Sequence, residues 1–331
     1  MVNKESLQKI KIGFVPTRRN IFSADAAIEF ANYTRDKLDE LGINYVDIQD
    51  VNDDGLLYDD EGLEKIYKKF VAEGIDGLFI ANENFGTEYE VARLAAKFNV
   101  PVLLWGPKDE APAPDGSRQR DTQCGLFAIG KVLRHFNVPF TYIRNSDISD
   151  PSFSRGVIDF IKVCNVVKTF RNTRILQIGP RPFDFWSVIV NEGELLEKFG
   201  IQLSPIPLGE LTSYMKGLIE NKDPRIEETK QVYREWCDIQ ITDEAFTKVA
   251  ALKLAMGDKM EQYGCNAGTI QCWTELQDEI GILPYASEAL LQTEGRPVTC
   301  EVDINGAISE LLAESATLGE EKALFADVNC R

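Results

Sequence analysis

Histidine is almost missing: the 331 residues contain one, His135. It sits in Arg134-His-Phe-Asn137, where it suits a helix C-terminus, and with one histidine so placed a Ser/His/Asp triad is not expected. Glycine-rich nucleotide signatures are absent as well. Neither G-x-G-x-x-G nor a P-loop occurs, which argues against a nucleotide cofactor and a nucleotide-dependent oxidoreductase. No block of Lys or Arg runs along the chain, and 36 basic against 53 acidic residues leave a net charge of −17. Such a surface repels phosphate backbones and anionic membranes, so neither nucleic acid nor membrane is an expected partner. No apolar run reaches the roughly eighteen residues of a membrane span. The opening Met1-Val-Asn-Lys-Glu-Ser-Leu-Gln-Lys9 lacks the apolar stretch of a signal peptide. The seven cysteines are scattered and form no C-x-x-C. That pattern fits a reduced, cytoplasmic protein better than a disulfide framework or zinc ribbon.

What is present is an ordinary packed composition, 44% hydrophobic and 27% charged, with room for two domains or slightly more. Short apolar runs alternate with helical patterns. Ile10–Val15, Ile43–Ile48, Ile75–Ala81 and Val100–Trp105 read as strands. Between them lie helices from Ser23, a capping residue, to Leu41 before Gly42, from Leu63 to Glu73 before Gly74, and from Thr87 to Phe98. This alternation predicts βαβ units and a mostly parallel sheet. Gly106–Ser117 is a long loop, Leu126–Phe136 a helix, Phe140–Ile143 a strand and Pro151–Phe170 a connecting helix. The pattern then restarts with a strand Arg174–Ile178, a helix from Val188 to Phe199 closed by Gly200, and a strand Ile201–Ile206. Two amphipathic helices, Ile226–Trp236 and Asp243–Tyr263, follow. The expected architecture is two consecutive open, Rossmann-like α/β domains, residues 1–170 and 171–296, with a cleft between them. Residues 297–331 would open a third domain with a strand, a helix from Ile304 to Ala316 and a last strand Ala323–Val328.

Ligands of open parallel sheets bind beyond the carboxyl ends of the strands. Three loops fall there: Pro16-Thr-Arg-Arg-Asn20, Asn82-Glu-Asn-Phe-Gly86 and Gly179-Pro-Arg-Pro-Phe-Asp184. The guanidinium forks of Arg18 and Arg19 suit an oxygen-rich ligand; a surface or interface pair is the plainer alternative. Asn82, Glu83 and Asn84 beside Phe85 have the donors and acceptors that hold sugar hydroxyls, as has any polar βα loop. Arg181 is stiffened between two prolines and suits a ligand or a salt bridge. Two acids remain. Glu288 in Ala-Ser-Glu-Ala-Leu and Asp303 in Cys-Glu-Val-Asp-Ile-Asn-Gly-Ala stand fifteen residues apart beside apolar segments. They read either as oxygen ligands of a metal or as a first-turn helix acid and a helix cap. Glu301, two residues before Asp303 in a strand-like segment, is expected to face the other way.

These motifs together resemble the L-fucose/L-arabinose isomerase family, the L-fucose isomerase branch more closely. The resemblance begins at Gly13-Phe-Val-Pro-Thr-Arg-Arg19 and continues through Ile178-Gly-Pro-Arg-Pro182, Asn191-Glu192 and Leu195-Leu-Glu-Lys-Phe-Gly200. It is closest from Gln271-Cys-Trp-Thr-Glu-Leu276 through Ala286-Ser-Glu-Ala-Leu290 and Cys300-Glu-Val-Asp-Ile-Asn-Gly-Ala307 to Phe325-Ala-Asp327. It implies an aldose–ketose isomerase that works through an ene-diol on a pentose or 6-deoxyhexose and uses a divalent metal, usually Mn2+. Glu288 and Asp303 would be metal ligands, with Glu288 also moving the proton between C1 and C2. Arg18, Arg19 and the Asn84 loop would touch sugar from a neighbouring subunit, which implies a homo-oligomer. Family members close with a larger C-terminal domain that carries a histidine ligand. No histidine follows His135 here, so the chain is expected to be a truncated piece. A different class of function, a bilobal sugar-binding protein without catalysis, is the alternative.

Overall fold

The computed structural model describes residues 3–326. It divides at Val167/Lys168 into two compact units. In the first, a short helix α1 (Lys4–Leu7) precedes β1 (Lys11–Thr17), α2 (Ala24–Leu41), β2 (Asn44–Val46), α3 (Asp60–Glu73), β3 (Gly77–Asn82), α4 (Glu88–Ala96), β4 (Val102–Trp105), α5 (Thr122–His135) and β5 (Thr141–Tyr142). The long α6 (Pro151–Arg171) leads into the second unit. The sheet order is β2-β1-β3-β4-β5, every pair parallel.

Local chemistry sets these boundaries. Ser23 accepts from the Ala26 N–H at the start of α2, and Gly42 ends it at φ 72°. Asp59 caps α3 through the Gly62 N–H. The left-handed backbone at Gly42 costs an L-residue free energy that glycine does not incur. All six residues of β3 are buried, as expected of a central parallel strand covered on both faces. Phe79, Trp105 and Phe153 interlock on one side of the sheet, with Trp105 and Phe153 centroids 4.4 Å apart.

The second unit contains β6 (Arg174–Ile178), a helical segment α7 (Glu192–Glu194) that widens into a π turn over Leu195–Phe199, and β7 (Gln202–Ile206). Then come α8 (Leu208–Glu220), α9 (Arg225–Trp236), α10 (Asp243–Gln262), β8 (Ala267–Ile270), α11 (Glu275–Ile280), α12 (Tyr285–Thr293), β9 (Val298–Cys300) and α13 (Ile304–Ala316). Its sheet, β7-β6-β8-β9, is again parallel throughout. Two elements carry little sequence signal. The strand β8 is only Ala-Gly-Thr-Ile, and α8 follows Pro207 with no side-chain cap. The helix expected from Val188 starts at Glu192, where Asn191 accepts from the Glu194 N–H.

The segment from Pro297, read as the opening of a third domain, lies in this second unit. β9 pairs with β8 as the edge strand, and Ile304, Ala307, Ile308 and Leu311 of α13 pack with Ile175 and Ala267. The apolar face of α13 thus packs on the sheet of the second unit. Residues 323–326 have no regular structure, and the remainder of the last expected strand lies outside the described residues. Among the described residues no helix is long and apolar enough to cross a membrane.

Candidate functional site

Glu288 lies in the first turn of α12, its N–H bonded to the Pro284 carbonyl at 2.9 Å. The rotation of that helix is fixed by two contacts from its apolar side. The Tyr233 hydroxyl donates to the Ala286 carbonyl at 2.8 Å, and the Ser287 hydroxyl donates to the Val249 carbonyl at 2.9 Å. With residues 286 and 287 pinned to α9 and α10, the next side chain faces β9. There the Cys300 thiol lies 3.1 and 3.2 Å from the two carboxyl oxygens of Glu288 and donates to them. Glu288 is 8% exposed. It borders a cavity of about 280 Å³ whose polar walls are Tyr285, Gln292, Cys300, Glu301 and Glu310, closed on one side by Leu324 and Phe325.

Burial pushes the Glu288 carboxyl up to about 8. Neighbouring Cys272, Glu310 and Glu301 add to the rise, and the Cys300 hydrogen bond offsets part of it. Contact with the Cys272 thiol, then burial, then Glu288 itself raise Cys300, which is therefore a thiol donor and not a thiolate. Cys272 is lowered, chiefly by its bond with Cys300. Glu310, from α13, is lifted to about 7 by burial, then by Glu314 and Asp303.

Asp303 occupies the other end of the motif. Its Oδ1 accepts from the Gly306 N–H at 2.9 Å and caps α13. The two residues before it, Glu301 and Val302, have φ of 60° and 57°. Left-handed backbone at two successive non-glycines, one β-branched, costs roughly 1–2 kcal/mol each. Three bonds hold the turn: Val302 N–H to Ile270 O, Asp303 N–H to Cys300 O, and Thr299 hydroxyl to Asp303 O. Glu301 is thus part of a tight corner and not of a strand, and it lines the same cavity as Glu288, while Asp303 is not among the lining residues. Gly306 is needed here, since a Cβ would lie 2.8 Å from both Asp303 Oδ2 and Phe325 Cε2.

The donor types fit a hard cation: several carboxyl oxygens around one cavity, with the two oxygens of Glu310 buried and unpartnered. A complete ligand set is not formed. Among the described residues no three His, Cys, Asp or Glu side chains converge on one point. Of the pair singled out in the sequence, Glu288 lines the cavity, whereas Asp303 is not among its lining residues and caps α13. Glu310 and the two thiols were not singled out; the available signal was an acid at position 310 within the apolar stripe Ile304, Ala307, Ile308, Leu311.

The other candidates are committed to their own loops. Arg181 Nη1 turns back to the Pro182 and Phe183 carbonyls, at 2.8 and 3.1 Å, and its side chain lines a separate open hollow with Gln271 and Trp273. In the first unit Arg18 pairs with Asp54 at 2.7 Å and stacks on Tyr58. Arg19 pairs with Glu88 at 2.8 Å and stacks on Phe85. Asn84 is fully buried: its carbonyl accepts from the Arg19, Phe85 and Gly86 N–H groups, and its amide donates to the Arg19 and Ser23 carbonyls. Asn84 thus shapes the loop and brings Arg19 to it, where a sugar-facing amide was expected. Glu83, also fully buried, accepts from the Thr34 hydroxyl at 3.2 Å and is pushed up to about 8 by burial.

Residues 13–171 match the family model described as fucose/sulfoquinovose isomerase, N-terminal domain. Among curated proteins, a sulfoquinovose isomerase of Priestia aryabhattai is 22% identical over 249 residues, 75% of this chain and 55% of that protein. One of Alkalicoccus urumqiensis is 22% identical over 223 residues, 67% of this chain and 49% of that protein. The chain spans about half the length of the curated relatives it matches. A solved ABC-transporter solute-binding protein from Actinobacillus succinogenes 130z with bound D-allose aligns at 11% identity over 96% of both chains. Its TM-score of 0.22 is too low to bear on fold or function. Through residues 13–171, just under half of its length, the chain is similar to the N-terminal domain of the fucose/sulfoquinovose isomerase family.

Proposed function

We propose that the whole protein is a metal-dependent aldose–ketose isomerase acting on a neutral sugar, a pentose or 6-deoxyhexose, through an ene-diol. One observation carries the reading: a buried carboxyl, Glu288, that lines a cavity with two further acids and is held by the Cys300 thiol at 3.1 and 3.2 Å. A carboxylate placed beside the substrate carbons can take a proton from one and return it to the other. In this assignment Glu288 removes the proton from C2 and returns it to C1. The Cys300 thiol steadies the carboxylate through each transfer, since its donor bond favours the ionised form. Asp303 and Glu288 would hold the ion, and the strained corner at Glu301 and Val302 fixes where Asp303 stands. When bound, a divalent ion of the Mn2+ type supplies Lewis acidity at the sugar's carbonyl and adjacent hydroxyl. Burial of Glu288, which is 8% exposed, limits water at its carboxyl.

The choice of a neutral sugar follows from the lining. Sulfoquinovose, named for the relatives, bears a sulfonate, whereas the titratable groups around this cavity are three glutamates, a thiol and a phenol. No cationic side chain lines the cavity among the described residues, so nothing there pairs with a sulfonate. The reading also carries a cytoplasmic homo-oligomer with sites near subunit interfaces, which light scattering on the purified protein would test. The decisive assay is NMR of the full-length enzyme with pentoses, 6-deoxyhexoses and sulfoquinovose, with Mn2+ and after chelation. Expected are turnover of a neutral sugar, its loss on chelation, and a fall of at least about a hundredfold in Glu288→Gln. Unchanged activity in Glu288→Gln would refute the site, and turnover of sulfoquinovose alone would refute the substrate class.

A further inference from the structure

Two acids on α13 fare very differently. Glu314 is 6% exposed and fully served: the Gln292 amide donates to its Oε1 at 2.5 Å, and Lys322 lies 3.4 Å from its Oε2. Glu310, one turn earlier, is 5% exposed, and neither of its oxygens has a hydrogen-bond partner among the described residues. An unpartnered buried carboxyl costs folding free energy whether charged or neutral. A leucine would fill the same place among Ile308 and Leu311 without that cost. The side chain lines the Glu288 cavity, and no cationic side chain lines it with them among the described residues. The partner that Glu310 lacks among the described residues is therefore expected in the cavity, and the chemistry of its walls, oxygen-rich and acidic, selects a small hard cation.

We propose that Glu310 is a cation ligand of this cavity, sharing with Glu288 a divalent ion of the Mn2+ class. This rests on the metal-dependent reading above and adds to it a carboxylate on α13 beyond Asp303. The ion supplies the missing partner for both Glu310 oxygens and offsets the repulsion among the carboxylates around it. Glu314, held by Gln292 and Lys322, takes no part.

The test is a Mn2+ titration of the full chain followed by EPR of the free ion, with thermal unfolding recorded with and without Mn2+. The variants are Glu310→Gln, Glu310→Asp, Glu288→Gln, Asp303→Asn and Glu314→Gln. Glu310→Gln should bind Mn2+ at least tenfold more weakly and lose the Mn2+-induced rise in melting temperature. Its metal-free melting temperature should equal or exceed that of the unmutated chain, because a buried acid has been removed. Glu310→Asp, which keeps the charge on a shorter arm, should fold and bind with intermediate affinity, and Glu314→Gln should bind normally. If Glu310→Gln and Glu310→Asp bind like the unmutated chain while Glu288→Gln does not, Glu310 is no ligand and the metal reading stands without it. If the unmutated chain binds no Mn2+, both fall.

Discussion

Replacing Glu83 by Gln should stabilise the first unit, and the gain should grow with pH. The side chain is fully buried, one oxygen accepts from Thr34, and the other has no partner. Burial raises its pKa from 4.5 to about 8, outweighing the opposing effects of the Thr34 bond, Arg35 and Arg120. Below pH 4.5 folded and unfolded chains both hold the proton, and the group has no effect on the pH dependence. Between 4.5 and about 8 the unfolded chain has released it and the folded chain has not, so stability falls by ~1.4 kcal/mol per pH unit. At pH 7 the accumulated loss is about 3 kcal/mol, and above the folded pKa it stops growing. Gln keeps the acceptor for Thr34 and cannot ionise. The difference between the two proteins should therefore widen by about 2.5 kcal/mol in favour of Glu83→Gln between pH 5 and pH 7. Every other titrating group cancels in that difference. Hydrogen exchange of β1 and β3 amides in graded urea, read by mass spectrometry at both pH values, reports the first unit alone. Parallel pH dependence in the two proteins, or greater stability of the unmutated chain at pH 7, would show that Arg35 and Arg120 keep Glu83 ionised and that burial does not win.

Gly86 stands at φ 75°, and a Cβ there would lie 1.7 Å from Asn82 Oδ1. Gly86→Ala should cost at least ~2 kcal/mol, measured by urea denaturation, from the left-handed backbone and the overlap together. Asp303→Ala removes the α13 cap and should cost about 1 kcal/mol in the same assay, with faster amide exchange confined to residues 304–308. In the full-length enzyme, Cys300→Ala deletes the donor that favours the ionised form of Glu288. The acid limb of its pH–rate profile should move to higher pH, and an unmoved limb would dissociate the thiol from the carboxyl's chemistry.

The first α/β domain was readable because its signals are local. Ser23, Asp59, Gly42 and Gly74 mark helix ends through their own backbone preferences, and buried strands such as Leu78–Ala81 are continuous apolar runs. Where the signal is not local the reading failed. Four residues of β8 have no period to detect, and the membership of Pro297 onward depends on which sheet edge is open to receive β9. Asn84 looks from its composition like a ligand-facing amide. Only the fold shows five backbone groups converging on it.

The site divides the same way. The residue order alone marked Glu288 and Asp303, because each lies in a short acid-bearing motif whose spacing along the chain survives without coordinates. That Asp303 also caps α13, that Cys300 bonds to Glu288, and that Glu310 lacks a partner while Glu314 has two are facts of three-dimensional proximity. Desolvation and hydrogen bonding depend on which side chains the packed sheet brings within a few ångströms. Sequence determined the periodicities, the caps and the family resemblance of this protein; only tertiary packing decided which of its acids are buried, paired or left facing a cavity.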